Sequence, residues 1–225
     1  MKDFPVFKTE TGVSSLILKE VPYRAAAYIH IQDVQPDGFD AHLKECVSFC
    51  RMVGAERIFA TGSELLREYP VHSSLLEMRG TAWVDPEKLC SLFPVTEQTV
   101  ARWREIHNKA MQGVDNAKTL ESRDEKEIVS SGGAYFIHNN GELLGIGWMD
   151  DTKLLVVASV VAGAGERIMH TLMSLVEEAD MTIEVASTNT RAIRLYEKLG
   201  FMKKKELLCW YDVSPKIASS EADEM

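Results

Sequence analysis

The chain has 225 residues, more than one average domain and less than two, and its 45% hydrophobic and 26% charged residues exclude a largely disordered protein. Twenty-five Lys and Arg against 34 Asp and Glu give a net charge of −9, which argues against a nucleic-acid partner, because non-specific binding needs a basic surface. The longest apolar run, Leu154 to Gly165, is too short for a membrane span and carries glycines, and Met-Lys-Asp-Phe-Pro at the start lacks the apolar stretch of a signal peptide, so the expectation is a soluble, cytoplasmic protein with no membrane partner.

Residues 13–34 alternate in the period-two manner of a sheet, with Ala25, Ala27, Ile29 and Ile31 set against Ala26, Tyr28 and His30. Pro36-Asp37-Gly38 marks a turn, and Phe39 to Val53 has helical spacing that stops at Gly54. A short strand at Ile58 to Ala60 and a short helix from Glu64, halted by Pro70, follow. From His72 a new unit begins, with a strand around Leu76 and Met78 and then a helix from Thr96 to about Met111. The charges of Glu121 to Glu127 read as a solvated helix face or loop rather than a binding site. Asn139-Asn140-Gly141 between two apolar runs is a hairpin signal, and Leu154 to Val161 reads as a central strand. A Gly163-Ala164-Gly165 turn then opens a helix reaching Ala179. A strand at Ile183 to Ala186, a helix at Ala192 to Leu199 and a strand at Leu207 to Val213 complete the pattern. This order is α/β, with a strand–helix–strand unit at its centre.

The four cysteines are Cys46, Cys50, Cys90 and Cys209. Cys46 and Cys50 follow His42 on one helical face, and they read as small core residues rather than a metal half-site, since no second Cys/His pair stands at ligand spacing. No metal is expected.

Two features carry chemistry. A glycine turn that opens a helix exposes free N–H groups and the positive end of the helix dipole, which suits an anion, and Arg167 could add charge there. Glu166 on the same first turn suits the dipole but would repel a phosphate if it pointed inward. The second feature is the run Asn189-Thr190-Arg191-Ala192-Ile193-Arg194-Leu195-Tyr196-Glu197-Lys198-Leu199-Gly200-Phe201. Asn189 caps a helix, Ala192 is small where something packs closely, Tyr196 lies two turns on along the same face, and Gly200 ends the helix.

The Asn189-x-x-Ala192-x-x-Leu195-Tyr196-Glu197-x-Leu199-Gly200-Phe201 run closely resembles the C-terminal motif of the GNAT superfamily of acyl-CoA-dependent N-acetyltransferases. Gly163-x-Gly165 with Ile168-Met169 resembles that superfamily's pyrophosphate loop and helix, and Glu105 to Met111 its first helix. The family usually has Arg or Gln three residues before the first motif glycine, where this chain has Val160. The resemblance covers roughly residues 75–213. It implies a mixed central sheet in which two parallel strands, Leu154–Val160 and Ile183–Ala186, splay apart around acetyl-CoA. Leu155, Val156 and Val157 would pair with the pantetheine arm. Gly163, Ala164, Gly165, Glu166 and Arg167 would hold the pyrophosphate through backbone N–H groups. Asn189 and Ala192 would face the cofactor, and Tyr196 would be the general acid for the departing thiolate. His138, Glu142, Asp150, Asp151 and Glu184 stay open as candidates for the base. The implied function is acetyl transfer to a primary amine of a small molecule, peptide or protein, with acetyl-CoA and the acceptor as partners and a homodimer left open. A catalytically silent acyl-CoA-binding module and a tRNA-dependent aminoacyl transferase with tandem halves are the alternatives.

The domain reading is a degenerate GNAT-like half at residues 1–71, the acetyltransferase domain at 72–213 and a mobile acidic tail at 214–225. The first half repeats the strand, turn, helix, strand order but has Gln35-Pro36-Asp37-Gly38 at the turn, without Gly-x-Gly. It is therefore expected not to bind CoA, and to give structural support or wall the acceptor site. The loops expected to build the acceptor site span Gln112 to Ser131.

Overall fold

The computed structural model describes residues 5–176 and 178–214. One unit takes in the described residues up to Ser74 and again from Leu208, and the other runs from Leu75 to Leu207. The acidic tail, beyond Ser214, lies outside the described residues. Among the described residues no helix is long and apolar enough to cross a membrane.

The first unit orders its strands β1 (Val6–Lys8), β2 (Gly12–Ile17), β3 (Ala26–Val34), β4 (Arg57–Thr61) and the end of β11 (Met202–Asp212). The sheet expected over 13–34 is two strands separated by a single helical turn, α1 (Val21–Arg24), which Ala25 closes at φ 50°. Helix α2 (Phe39–Met52) follows a 3₁₀ turn at Pro36–Gly38 and buries Phe39, Leu43, Cys46, Val47 and Cys50. These side chains meet Ala27, Ile29, Ile31, Ile58 and Ala60 of the sheet in one apolar core. The odd residues of β3 thus face α2 while Ala26 and Tyr28 join Phe59 and Trp210 on the other side, the alternation a pleated strand requires. Burial also pushes the Cys46 thiol up to about 11 and the Cys50 thiol to about 12, so both behave as core residues.

In the second unit the strand order is the start of β11, then β5 (Val71–Thr81), β10 (Asp180–Ala186), β9 (Lys153–Ser159), β8 (Glu142–Asp150), β7 (Ala134–Asn139) and β6 (Ser91–Pro94). Its helices are α3 (Val100–Met111), α4 (Glu125–Ser131), α5 (Gly165–Met173) and α6 (Thr190–Lys198). Two cores lie on opposite sides of β8 and β9. Leu154 and Val157 pack with α5 and α6, whereas Val156 and Ala158 pack with α3 and α4. Gly145 and Gly147 face α5, and an added Cβ there would come within 2.6 Å of Ile168 or of Leu172. The glycines let the helix lie close on the strand.

The β7–β8 hairpin turns through Asn140 and Gly141 at φ 49° and 83°, the two positive values that a two-residue turn of this hand needs. Helix α5 stops at Met173, short of Ala179, and α3 starts at Val100 after a turn in which Thr96 N–H donates to Thr99 Oγ1 at 2.9 Å. The last strand begins at Met202 rather than Leu207. Its charged start, Lys203 to Glu206, is exposed throughout and carries no alternating pattern to read.

Candidate active site

Helix and strand ends converge where two parallel strands part. Strands β9 and β10 are in register at only two positions, Lys153↔Thr182 and Leu154↔Ile183, and then diverge. On its far side β10 keeps seven pairs with β5, from Asp180↔Thr81 to Ala186↔Leu75. On its own far side β9 stays paired to β8, with a register shift that leaves Leu155 opposite no residue. A bulge of this kind re-aims the strand and leaves one residue outside the ladder. So the apolar run of β9 is half-open rather than buried, and Leu155 is 41% exposed.

The opening holds a cavity of about 760 Å³, inside the size range of small-molecule and cofactor sites. Leu155, Val156 and Val157 line it, as do Gly163, Gly165 and Glu166 of the turn and Asn189, Ala192 and Tyr196 of α6. Ala164 is buried and is not part of the lining. Gly163 turns at φ 81° and a Cβ there would meet open space, so the turn faces the cavity without a side chain in the way.

The Arg167 side chain does not add charge to the cavity. It packs away from the lining, with Nη2 donating to Asn139 Oδ1 at 3.5 Å and Nε buried without a partner among the described residues. The cations at the turn are instead Lys88 and Lys198, each donating to Glu166 at 2.6 Å. Lys198 and Lys88 together hold the Glu166 carboxyl down at about 2, well below the usual carboxylate range. The concern that Glu166 would repel an anion is met by this clamp. The sequence carried Lys198 only as a variable position of the helix motif, and Lys88 stands 78 residues away.

Helix α6 is fixed at both ends. Asn189 Oδ1 accepts from Ala192 N–H at 3.2 Å, an N-cap, and Asn189 lines the cavity. At the other end Gly200 lies at φ 89°, Gly200 N–H donates to Glu197 O at 3.0 Å and Phe201 N–H donates to Tyr196 O at 2.9 Å. Those two bonds form a Schellman motif. Phe201, 1% exposed, packs close on Gly80 and sets its ring 6.3 Å from that of Tyr196. Tyr196 is itself only 5% exposed and lines the cavity, and its hydroxyl makes no hydrogen bond to any described residue. Burial pushes its phenol well above the ordinary range, so it stays protonated at neutral pH.

Of the five base candidates, Glu184 lines the cavity and is ion-paired to Lys153 at 2.5 Å. His138 sits edge-on to Phe93 on the β6–β7 side, and Glu142, Asp150 and Asp151 are exposed at hairpin turns, all outside the lining. The α3–α4 side of the cavity takes in part of the Gln112 to Ser131 segment expected to build the acceptor site, together with His107 and Trp148, to which sequence reasoning gave no role. His107, 5% exposed, stacks on Trp103 at 5.7 Å, and Trp148 donates its indole N–H to Ser131 Oγ at 3.0 Å. Both line the cavity, as do Asp124 and Glu127 from the charge run read as a solvated face. Their periodicity marked them only as helix and strand positions, and the chain separation hid their convergence.

Scanned against protein-family models the sequence matches none, and a search of curated proteins finds no match. Among solved structures it is similar to a GCN5-related N-acetyltransferase from Kribbella flavida, at 12% identity over 92% of this chain and 58% of that one, with a TM-score of 0.57. A GCN5-related N-acetyltransferase from Sphaerobacter thermophilus matches at 12% identity over 91% and 78% of the two chains, with a TM-score of 0.51. A functionally unknown conserved protein of Staphylococcus epidermidis matches at 9% identity over 94% of both chains, with a TM-score of 0.54. At these identities the likeness establishes the fold, a mixed α/β sheet with flanking helices shared with GNAT acetyltransferases.

Proposed function

We propose that the chain is an acetyl-CoA-dependent N-acetyltransferase acting on a primary amine. The observation that carries this reading is the parting of β9 and β10 after two registered pairs, with the cavity between them bounded by the bulged strand, the glycine turn and Tyr196. An extended pantetheine arm would replace the missing strand partner along Leu155 to Val157 by main-chain hydrogen bonds. The backbone N–H groups of Gly163 to Arg167 at the start of α5 would take the pyrophosphate, with Asn189 and Ala192 against the arm.

In the reaction the neutral amine nitrogen forms a bond to the acetyl carbonyl carbon, and the carbonyl oxygen becomes an oxyanion that a backbone N–H near the bulge would stabilise. Collapse breaks the carbon–sulfur bond. Tyr196 gives its proton to the departing thiolate, and the proton shed by the nitrogen restores the phenol through the open cavity. Burial suits this role, because the same dry wall that keeps the phenol protonated raises the basicity of a thiolate beside it. The first unit is then a degenerate copy of the same half-fold that binds no CoA, and the acetyltransferase domain is the stretch read from His72 to Val213.

A thermal melt with acetyl-CoA, with ATP as control, tests the cosubstrate. Acetyl-CoA at about 100 times its dissociation constant adds about 2.7 kcal/mol, a rise of several degrees for a chain of this size. A rise with acetyl-CoA alone supports the reading, and no rise overturns it. A rise with no thiol release from any amine leaves a silent acyl-CoA binder.

A further inference from the structure

The cavity is charged differently on its two sides. On the α5–α6 side the lining carries Arg191 and Lys198 with Glu166, beside the N–H groups of the turn. On the α3–α4 side the lining carries the carboxylates of Asp115, Asp124 and Glu127 against one ammonium, Lys118, which donates to Asp124 at 2.7 Å. Glu127 makes no ion pair to any described residue. Trp148 adds an aromatic wall there, held by its bond to Ser131 and by an edge-to-face contact with Trp103 at 6.0 Å. Carboxylates beside an aromatic wall are the chemistry that holds an organic ammonium ion. A separate observation points to a polar ligand here: the hydroxyl of Tyr196, a cavity-lining residue 5% exposed, has no partner among the described residues.

We infer that the acceptor is a small diamine, an amine that carries a second positive charge. The inference rests on the acetyltransferase reading. The reacting nitrogen must be neutral to attack, and carboxylates beside it would hold its proton on and slow the reaction. They fit a second ammonium that does not react, docked on the α3–α4 side while the neutral end reaches the thioester. A carboxylate-bearing amine would be repelled at the same place.

The test uses the full chain with saturating acetyl-CoA and follows thiol release from 1,4-diaminobutane, n-butylamine and 4-aminobutyrate. The expected order of kcat/KM is diaminobutane, butylamine, aminobutyrate. The first step should be about tenfold or more, carried mostly by KM, and should shrink in 0.5 M salt as screening shortens the reach of the carboxylates. Glu127→Gln should cut the diamine-to-monoamine ratio several-fold while keeping the acetyl-CoA melting shift. A ratio near one, a preference for aminobutyrate, or no turnover of the diamine overturns the inference. If the acetyl-CoA shift is present in those cases, the inference fails alone. If the shift is absent, the acetyltransferase reading has failed and takes the inference with it.

Discussion

The chain builds a strand, a glycine-bearing turn, a helix and a parallel strand twice. In the first unit β3 and β4 stay together for five registered pairs, from Ala26↔Arg57 to His30↔Thr61. In the second, β9 and β10 part after two. The turns differ in the same sense. A Cβ on Gly38 would lie 2.3 Å from Thr11, whose hydroxyl donates to Gly38 O at 3.2 Å, so that turn is already filled. A Cβ on Gly163 would meet nothing within 4 Å. One arrangement satisfies its own backbone and packs its own turn. The other leaves strand edge and N–H groups facing a cavity, a cost that a ligand would offset. A gap in a ladder, more than any single side chain, separates a structural copy from a candidate site.

The sharpest way to break this comparison is at the gap. Tyr196→Phe removes the unpartnered hydroxyl and keeps the ring that packs on Phe201. Turnover should fall by roughly 10²-fold, the lower end of general-acid contributions. The acetyl-CoA melting shift should stay, and unchanged turnover would remove Tyr196 from the chemistry.

Much of this contrast was legible in the sequence. Gly-x-Gly before an amphipathic helix, and Asn189 eleven residues before Gly200 in a capped helix, gave the turn and α6 with nearly their observed bounds, because caps and glycines act locally. The splayed strands entered through the family resemblance, and the two-pair register shows them directly. The clamp on Glu166 was not legible, and of the carboxylate side of the cavity only the segment was, as the loops of Gln112 to Ser131 expected to build the acceptor site. Lys88, Asp115, Asp124 and Glu127 meet the site only through long-range folding, and a charged residue in a loop has the same local pattern whether it faces solvent or a cavity. Strand β6 was missed because Ser91 to Pro94 is four residues long, contains a proline and lies at the end of its sheet's strand order.

Substituting the two turn glycines sharpens the comparison from both sides. Gly163→Val forces a branched residue to φ 81°, a strain of about 1–2 kcal/mol, and fills the open turn. Acetyl-CoA should then bind at least about tenfold more weakly. Gly38→Ala must push Thr11 aside and should cost about 1–3 kcal/mol as overpacking, with the acetyl-CoA dissociation constant unchanged. Melts with and without acetyl-CoA separate the two effects. If both variants lost acetyl-CoA affinity, the first unit's turn would be more than structural.

A buried histidine gives the first unit a pH dependence of its own. His42 is fully buried, with Nδ1 bonded to Thr9 Oγ1 at 2.8 Å and Nε2 to Ser14 Oγ at 2.7 Å. Burial lowers its pKa below 6.5, against a smaller opposing pull from Glu45. The unfolded chain therefore takes up the proton first, and the contribution to stability is complete above pH 6.5 and is lost as pH falls below it. Tm should drop between pH 7.5 and 5, and His42→Gln should reduce that drop while lowering Tm at pH 7.5, the remainder belonging to His170 of α5, whose pKa burial also lowers. A wild-type profile as steep as that of the variant would exclude His42 as its source.

The smallest effect belongs to the clamp at the second turn. Glu166 is held down to about 2 by Lys198 and Lys88. Its stabilisation is therefore present above the unfolded carboxyl value of 4.5 and is lost as pH falls toward 2. The side chains are 24% exposed for Glu166, 33% for Lys88 and 64% for Lys198, so solvent screening leaves the two ion pairs a small contribution. Glu166→Gln should lower Tm slightly at pH 7 and not at all near pH 2, with the difference erased by high salt. The same substitution releases two ammonium groups beside the turn, so it should tighten acetyl-CoA binding a few-fold at low salt even as it loosens the fold. Opposite signs for stability and affinity would identify Glu166 as the protein's own stand-in for a bound anion, the role that Thr11 fills by packing in the first unit. Affinity that fell with stability would instead make the carboxylate a holder that positions both lysines for the phosphates.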